Sequence, residues 1–303
     1  MEGASMAELK PRGQLGKIDF SNPRMQPMIR MLQDNIRKET MRWQPDAGII
    51  LRRADLSVPD MPSFSCMILE PENFPKARAA CMFCHGGGMI FPLQVSSLKI
   101  AEYLARAAQI SVWVPDYHLP PRAPFPSPMQ ECLCAWQRMS QTAETVILYG
   151  ESVGGAVAAS LALYLRDHQE RQPERMMLID PVTDCETEKY PSAALDAQAV
   201  WTIKNNRFMW AQYLPDEATA RMPYAVPIRE SVKGLPPTYL ETAGIDILRD
   251  EGEAFGEKLR AAGVPTEIHR IEDAWHGFDT EIDHPYVQQT LHTRTAYLKK
   301  ALD

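Results

Sequence analysis

Short apolar runs alternate with amphipathic stretches along most of the chain, and this alternation predicts strands and helices in turn. The runs predict strands over residues 49–58, 63–69, 79–84, 110–114, 145–149, 175–179, 238–242 and 265–271, of which 79–84 is fully buried. Most of the intervening stretches have the apolar spacing of helices. Because consecutive parallel strands need a crossover between them, the pattern predicts an α/β fold with a mostly parallel central sheet flanked by helices.

Two regions depart from this alternation and predict helices that cover the sheet. Residues 25–43 carry apolar side chains at helical spacing before the first strand, and residues 185–233 are rich in aromatic residues. We therefore predict a cap built from residues 1–46 and 185–233. The predicted core comprises residues 47–184 and 234–303.

Composition and charge narrow the classes of ligand. The chain has 303 residues, is 45% hydrophobic and has a formal net charge of −7. It contains no basic run of the kind that follows a phosphate backbone, so we expect no nucleic-acid partner. It also lacks an apolar stretch of about 20 residues, so we expect no stable membrane insertion. The acidic net charge and the high apolar content are compatible with a small neutral or apolar ligand.

The six cysteines are too few for a disulfide scaffold in a chain of this length. The N-terminal residues contain charges and glycines without the apolar centre of a secretory signal. Both observations predict reduced thiols and a cytoplasmic protein. Cys81 and Cys84 have the spacing of a redox or metal pair, but their apolar surroundings favour two small hydrophobic residues in a buried strand.

A glycine-flanked serine joins one predicted strand to a helical run. In residues 150–154, Gly-Glu-Ser-Val-Gly, Ser152 has a glycine two positions away on each side. Glycines there allow the strand and helix to approach closely and tolerate a strained turn. The pattern predicts a nucleophile elbow, although a Gly/Ser loop between packed elements is the alternative.

Four polar residues follow predicted strands directly: His85, Ser152, Asp246 and His276. The carboxyl ends of parallel strands meet at one edge of a sheet, so these residues are expected to converge. A serine nucleophile needs a base, and the base needs a carboxylate partner. We predict His276 as the base and Asp246 as the carboxylate. The alternatives for the carboxylate are Asp250, Asp273 and Asp180.

Three glycines follow His85, and they predict backbone N–H groups that point into a site without side chains in the way. Such donors stabilise the negative charge that develops on a carbonyl oxygen during acyl transfer. We assign this role to the N–H groups of Gly86, Gly87 and Val153. A flexible glycine linker is the alternative.

Together these residues resemble the hormone-sensitive-lipase-like branch of the α/β-hydrolase fold, which includes many bacterial carboxylesterases. The resemblance extends from Arg78 to the C-terminus. The motifs that carry it lie in residues 85–88, 116–126, 150–155, 180–184, 244–251 and 276–278. It implies a helical cap and hydrolysis of small to medium acyl esters by a Ser–His–Asp triad through an acyl-enzyme. It also implies a homodimer through residues 265–271. The triad chemistry needs no cofactor and no metal.

The sequence departs from the family pattern around the site. Glu151 and Val153 stand where the elbow usually has aspartate and alanine, and residues 89–92 are bulkier than usual. The residues expected to contact the substrate are His85, Gly88, Glu151, Phe91, Trp210 and Trp275.

Two other functions are compatible with these motifs. An amidase or a lactonase would use the same triad on a different acyl compound. A non-catalytic ligand-binding protein on this fold is the second alternative, and the presence of His276 argues against it.

Overall fold

Eight strands form a single sheet within residues 18–73 and 78–302, the part of the chain that the computed structural model describes. The strands are β1 (Ile49–Leu56), β2 (Phe64–Pro71), β3 (Ala79–Cys84), β4 (Ser111–Pro115), β5 (Thr145–Glu151), β6 (Arg175–Ile179), β7 (Thr238–Ile245) and β8 (Thr266–Trp275). Their order is β1-β2-β4-β3-β5-β6-β7-β8, and β2 runs antiparallel to both neighbours. The other neighbouring pairs, from β4 to β8, are parallel. The predicted mostly parallel sheet is therefore confirmed.

Helices flank the sheet. They are α1 (Gln26–Arg42), α2 (Val95–Ala108), α3 (Ser127–Ser140), α4 (Val153–Asp167), α5 (Ile203–Tyr213), α6 (Glu217–Ala220), α7 (Arg249–Ala261) and α8 (Pro285–Lys299). Among the described residues, none of these helices combines the length and apolarity needed to cross a bilayer.

Apolar side chains of the central strands alternate between two cores, one on each face of the sheet. On β3, Met82 and Cys84 pack toward α3, α4 and α7, whereas Cys81 and Phe83 pack toward α2 and α8. Cys81 and Cys84 thus lie on opposite faces of one strand and are both fully buried. This placement agrees with two core hydrophobic residues and excludes a joint metal or redox pair.

The two regions outside the strand–helix alternation contact each other. The side chain of Asn205 on α5 accepts a hydrogen bond from Phe20 N–H at 3.1 Å and donates one to the Ile18 carbonyl at 2.9 Å. Two hydrogen bonds therefore connect the segment before α1 to the insertion between β6 and β7. Residues 1–17, which belong to the predicted cap, lie outside the described residues.

Strand β8 is longer than its apolar run predicts. It pairs with β7 as far as Trp275, across an irregularity between Ala243 and Ile245. The prediction stopped at residue 271 because Glu272 and Asp273 break the apolar pattern. Both are exposed, as the outer strand of the sheet allows. Trp275 therefore belongs to a strand, and the turn begins only at His276.

The start of α4 generates a prediction about stability. A Cβ atom on Gly154 would lie 2.1 Å from the Cys84 carbonyl oxygen and 2.5 Å from that of His85. We expect Gly154→Ala to lower the free energy of unfolding by about 3 kcal/mol in urea titrations, because backbone must move to admit the methyl group. Gly263→Ala is the matched control, since it has φ +81° but no atom within 4 Å of the added Cβ. Its cost should be about 1 kcal/mol, from backbone strain alone. Equal losses in the two variants would contradict the steric explanation.

Candidate active site

Ser152 lies on a strained turn between β5 and α4. Its φ is +53° and its ψ is −123°, a conformation that non-glycine residues rarely adopt. The turn is held from both sides: Ser152 N–H donates to the Ile179 carbonyl at 2.8 Å, and the Ser152 carbonyl accepts from Gly155 and Val182. The strain therefore persists because the surrounding backbone fixes it, and the hydroxyl reaches the cavity.

A continuous hydrogen-bond chain leads from this hydroxyl to a buried carboxylate. In the neutral form of the imidazole, Ser152 Oγ–H donates to His276 Nε2 at 2.9 Å, and His276 Nδ1–H donates to Asp246 Oδ2 at 2.6 Å. The second carboxylate oxygen of Asp246 accepts from Leu248 N–H at 3.1 Å. Thus the ends of β5, β7 and β8 bring the three predicted residues together.

The other carboxylates considered from the sequence are placed differently. Asp250 accepts from Ser192 N–H at 2.7 Å and pairs with Arg249. Asp273 is exposed. Asp180 is buried, and its Oδ1 accepts from Ala243 N–H at 2.7 Å. Among these four acids, Asp246 is the one that hydrogen-bonds the imidazole.

Nearby carboxylates make His276 more basic than an ordinary histidine. Burial alone lowers the pKa of His276, but the Asp246 charge and hydrogen bond outweigh it, with smaller contributions from Asp180 and Asp279, and raise the pKa to about 9. Burial also raises the pKa of Asp180 well above its usual range. The charge and hydrogen bond of Asp246 are therefore the main stabilisation of the protonated imidazole.

Asp180, Asp246 and His276 are the described residues whose grouping could also hold a metal ion, since their ligand atoms lie within 4.8 Å of one another. Both imidazole nitrogens, however, already have partners in Ser152 and Asp246. A histidine ligand needs a free nitrogen lone pair. The arrangement therefore suits proton transfer better than metal binding.

The glycine loop after β3 corrects one assignment. Gly86 N–H donates to Glu151 Oε1 at 3.0 Å, so it is not available to a ligand. The N–H groups of Gly87 and Gly88 have no acceptor among the described residues. Val153 N–H stands at the first position of α4, where no intrahelical acceptor exists. The unpaired N–H groups are thus those of Gly87, Gly88 and Val153 rather than Gly86; Gly87 and Gly88 line the cavity, and Val153 directly follows Ser152.

Glu151 anchors that loop. Its Oε1 accepts from Gly86 N–H and, at 2.5 Å, from the hydroxyl of Ser97 on α2. Burial, supported by the charge of Asp279, raises the pKa of Glu151 to about 7. Although Glu151 lines the cavity, the oxygen that accepts these bonds is committed to the protein.

A cavity of about 320 Å³ opens above Ser152 and His276. Most of its wall is apolar. The large apolar side chains are Phe20, Leu32, Ile36, Phe91, Trp201 and Trp275. Four residues predicted to contact substrate, Gly88, Glu151, Phe91 and Trp275, do line this cavity.

The other two residues predicted to contact substrate, His85 and Trp210, do not line the cavity. His85 is fully buried, donates from Nδ1 to the Gly86 carbonyl at 2.6 Å and stacks on Tyr117 at 4.3 Å. His85 therefore supports the glycine loop from the protein interior, through its hydrogen bond to the Gly86 carbonyl. Trp210 is 6% exposed and packs beside Tyr213 in the core. On α5 its position directs it inward, away from the cavity.

Trp201 and Phe20, to which the sequence analysis assigned no role, form part of the cavity wall. Trp201 lies against Gly88, where an added Cβ would approach its ring within 2.5 Å. Phe20 packs edge-on to Phe91 at 5.5 Å. Trp201 and Trp210 belong to the same aromatic group of the sequence, and no local pattern distinguishes the one facing the cavity from the one in the core.

Comparison with known proteins agrees with the observed fold. A profile of the alpha/beta hydrolase fold matches residues 81–280, more than half of the chain. Esterase LipI of Mycobacterium tuberculosis is 30% identical over 243 residues, which cover 75% of each protein. A protein of Acanthamoeba polyphaga mimivirus described as an alpha/beta hydrolase is 29% identical over 230 residues, and the match spans 64% of that relative's own length.

Solved structures lead to the same fold. The structure of a bacterial heroin esterase superposes with a TM-score of 0.84 at 25% identity, covering 95% of this chain and 94% of that chain. The strand order, the strained serine turn and the family profile agree, and the resemblance seen in the sequence is confirmed: the chain belongs to the alpha/beta hydrolase fold family.

Proposed function

We propose that this protein is a serine carboxylesterase that hydrolyses small to medium acyl esters. The observation that carries the proposal is the hydrogen-bond chain from Ser152 through His276 to Asp246, which opens into an apolar cavity. The names of two similar proteins, Esterase LipI and bacterial heroin esterase, support the same reaction class.

In the acylation step, Ser152 Oγ attacks the ester carbonyl while His276 Nε2 takes its proton. The Asp246 carboxylate stabilises the imidazolium and keeps the ring oriented. His276 then gives the proton to the alcohol oxygen, the carbon–oxygen bond of the tetrahedral intermediate breaks, and the acyl-enzyme forms. Ser152 Oγ and His276 Nε2 lie 2.9 Å apart, which is within the hydrogen-bond distance required of a nucleophile and its base.

In the deacylation step, water takes the place of the alcohol. His276 removes a proton from the water, which attacks the acyl carbonyl. The same nitrogen then returns that proton to Ser152 as the carboxylic acid leaves. In both steps the carbonyl oxygen becomes negative, and we assign its stabilisation to the N–H groups of Gly87, Gly88 and Val153.

The cavity supports a limit on substrate size. A volume of about 320 Å³ is at the low end for ligand pockets. Phe20, Phe91 and Trp201 close it with aromatic rings, which favour an apolar acyl or alcohol group. We attribute this enclosure to a cap formed by residues up to 46 and residues 185–233, joined through Asn205.

Strand β8 supports a homodimer as a further part of the proposal. It is the outer strand of the sheet, and its free edge can pair with the same strand of a second copy. We also propose a cytoplasmic location, because all six cysteines are free.

A series of p-nitrophenyl esters from acetyl to dodecanoyl tests the reaction and the size limit together. We expect kcat/KM to be highest for short and medium chains and to fall at least tenfold for the longest chain. Ser152→Ala should lose at least about 10³-fold in kcat/KM, because the nucleophile is gone.

Rates on a matched set of ester, amide and lactone substrates then distinguish an esterase from an amidase or a lactonase. We expect the ester to react fastest. Ser152→Ala with unchanged activity, or equal labelling of wild type and variant by a phosphonate probe, would refute the serine mechanism.

The basicity of His276 predicts an alkaline pH profile. Only the neutral imidazole accepts the serine proton, and its pKa of about 9 keeps it protonated at lower pH. The kcat/KM of the free enzyme should therefore rise with pH and level off above about 9.

Asp246→Asn provides the control for this pH profile. It should move the inflection to lower pH, since Asp246 is the strongest raising influence on His276. It should also lower the maximum rate by about 10³- to 10⁴-fold. An inflection that stays in place in this variant would show that a group other than His276 is titrating.

A further inference from the structure

A buried arginine lies beneath the site without touching the cavity. Arg294, on α8, is 0% exposed. Its interactions with Glu241 and Asp279 outweigh the effect of burial and hold its pKa well above the usual value, so the guanidinium is charged. A buried charge is costly unless its donors are satisfied, which makes its partners informative.

The guanidinium bonds to three separate segments. Its Nη2 donates to Glu241 Oε1 on β7 at 2.5 Å, and its Nη1 donates to Asp279 Oδ2 at 2.7 Å, just after the histidine turn. The same Nη1 donates to the Tyr149 hydroxyl on β5 at 3.2 Å. Tyr239, also on β7, completes the cluster by donating to Glu241 Oε2 at 2.7 Å.

These are the segments that carry the proposed triad. Tyr149 lies on β5, three residues before Ser152, and Glu241 lies on β7, five residues before Asp246. Asp279 follows His276 by three residues. One rigid, planar group thus contacts each segment a few residues from its reactive side chain. A lysine could not reproduce this, because a single ammonium lacks the fixed fork of donors.

We propose that Arg294 is a positioning residue that keeps the segments bearing Ser152, His276 and Asp246 in mutual alignment, and the proposal rests on the esterase function proposed above. Its most direct effect passes through Asp279, which fixes the turn after His276. Proton transfer depends on atoms held within fractions of an ångström, so loosening this turn slows both chemical steps. Substrate binding in the cavity is affected less, because Arg294 does not line it.

Arg294→Lys is the principal test, since it retains the charge and can satisfy only part of the cluster. Active sites are first counted with a phosphonate ester, so that rates refer to folded molecules. We expect kcat per titrated site to fall at least tenfold while KM stays within twofold. In proton NMR, the low-field signal of His276 Nδ1–H should shift or broaden as its bond to Asp246 loosens.

Arg166→Lys is the matched control. Arg166, near the C-terminal end of α4, also makes a set of structural bonds, to the carbonyls of Ser231 and Lys233 and to Asp167, and it does not line the cavity. This variant is expected to change stability without changing kcat or the His276 signal. If Arg294→Lys behaves in the same way, with a lower Tm but kcat per site and the signal unchanged, Arg294 is purely structural and the proposal is overturned.

Tyr149→Phe decides the matter if Arg294→Lys fails to fold. It removes one hydroxyl from the cluster and leaves the ring stacked on Phe83 at 4.4 Å. We expect kcat to fall threefold or more at constant KM, with a shifted His276 signal. Unchanged values of both would overturn the proposal.

Failure of the esterase function would be recognised separately. It would appear as wild-type turnover equal to that of Ser152→Ala. The NMR signal of His276 would still report whether Arg294 aligns the imidazole, because that measurement needs no substrate.

Discussion

The close packing of α4 against β3 and β5 is the constraint on which the rest of the structure depends. Any side chain at Gly154 would overlap the backbone carbonyls at the end of β3, and one at Gly150 would come within 2.4 Å of the Gly154 carbonyl. Because nothing separates these elements, the chain must turn abruptly at Ser152, with φ +53°. The same contact brings the end of β5 beside the loop that begins at His85. Ser152 and the free N–H groups of the glycine loop thus lie at one edge of the sheet because the two backbones are in contact there.

Electrostatics impose the second constraint. Several buried carboxyl groups lie near the imidazole. A buried carboxyl group is stable as an anion only where it has a hydrogen-bond or charge partner, and otherwise it stays protonated. Asp246 bonds His276, Asp279 bonds Arg294, and Glu151 bonds the glycine loop while its pKa rises to about 7. Together these charges raise the pKa of His276 to about 9, so that only a small fraction of the imidazole is neutral at pH 7.

Much of the site was predictable because its motifs are local. The glycine spacing around Ser152 determines the turn, and residues that follow parallel strands must meet at one edge of the sheet, as Asp246 and His276 do. The errors arose where local patterns have several outcomes. A glycine-rich loop leaves open which N–H groups are free, and the Gly86 donor is taken by Glu151, a residue 65 positions away. An aromatic group on a helix leaves open which ring turns inward, and Trp210 does.

The sequence by itself determined the alternation of strands and helices along the chain, the turn at Ser152 and a short set of candidate partners for that serine. Those features follow from periodicity and from backbone sterics, which act over a few neighbouring residues. Only the tertiary structure decided that Phe20 and Trp201 form part of the cavity wall and that Asn205 hydrogen-bonds the segment before α1. It also decided that the guanidinium of Arg294 bonds to three separate segments. These depend on contacts between residues far apart in the chain, and such contacts exist only once the sheet and the segments that cover it have packed.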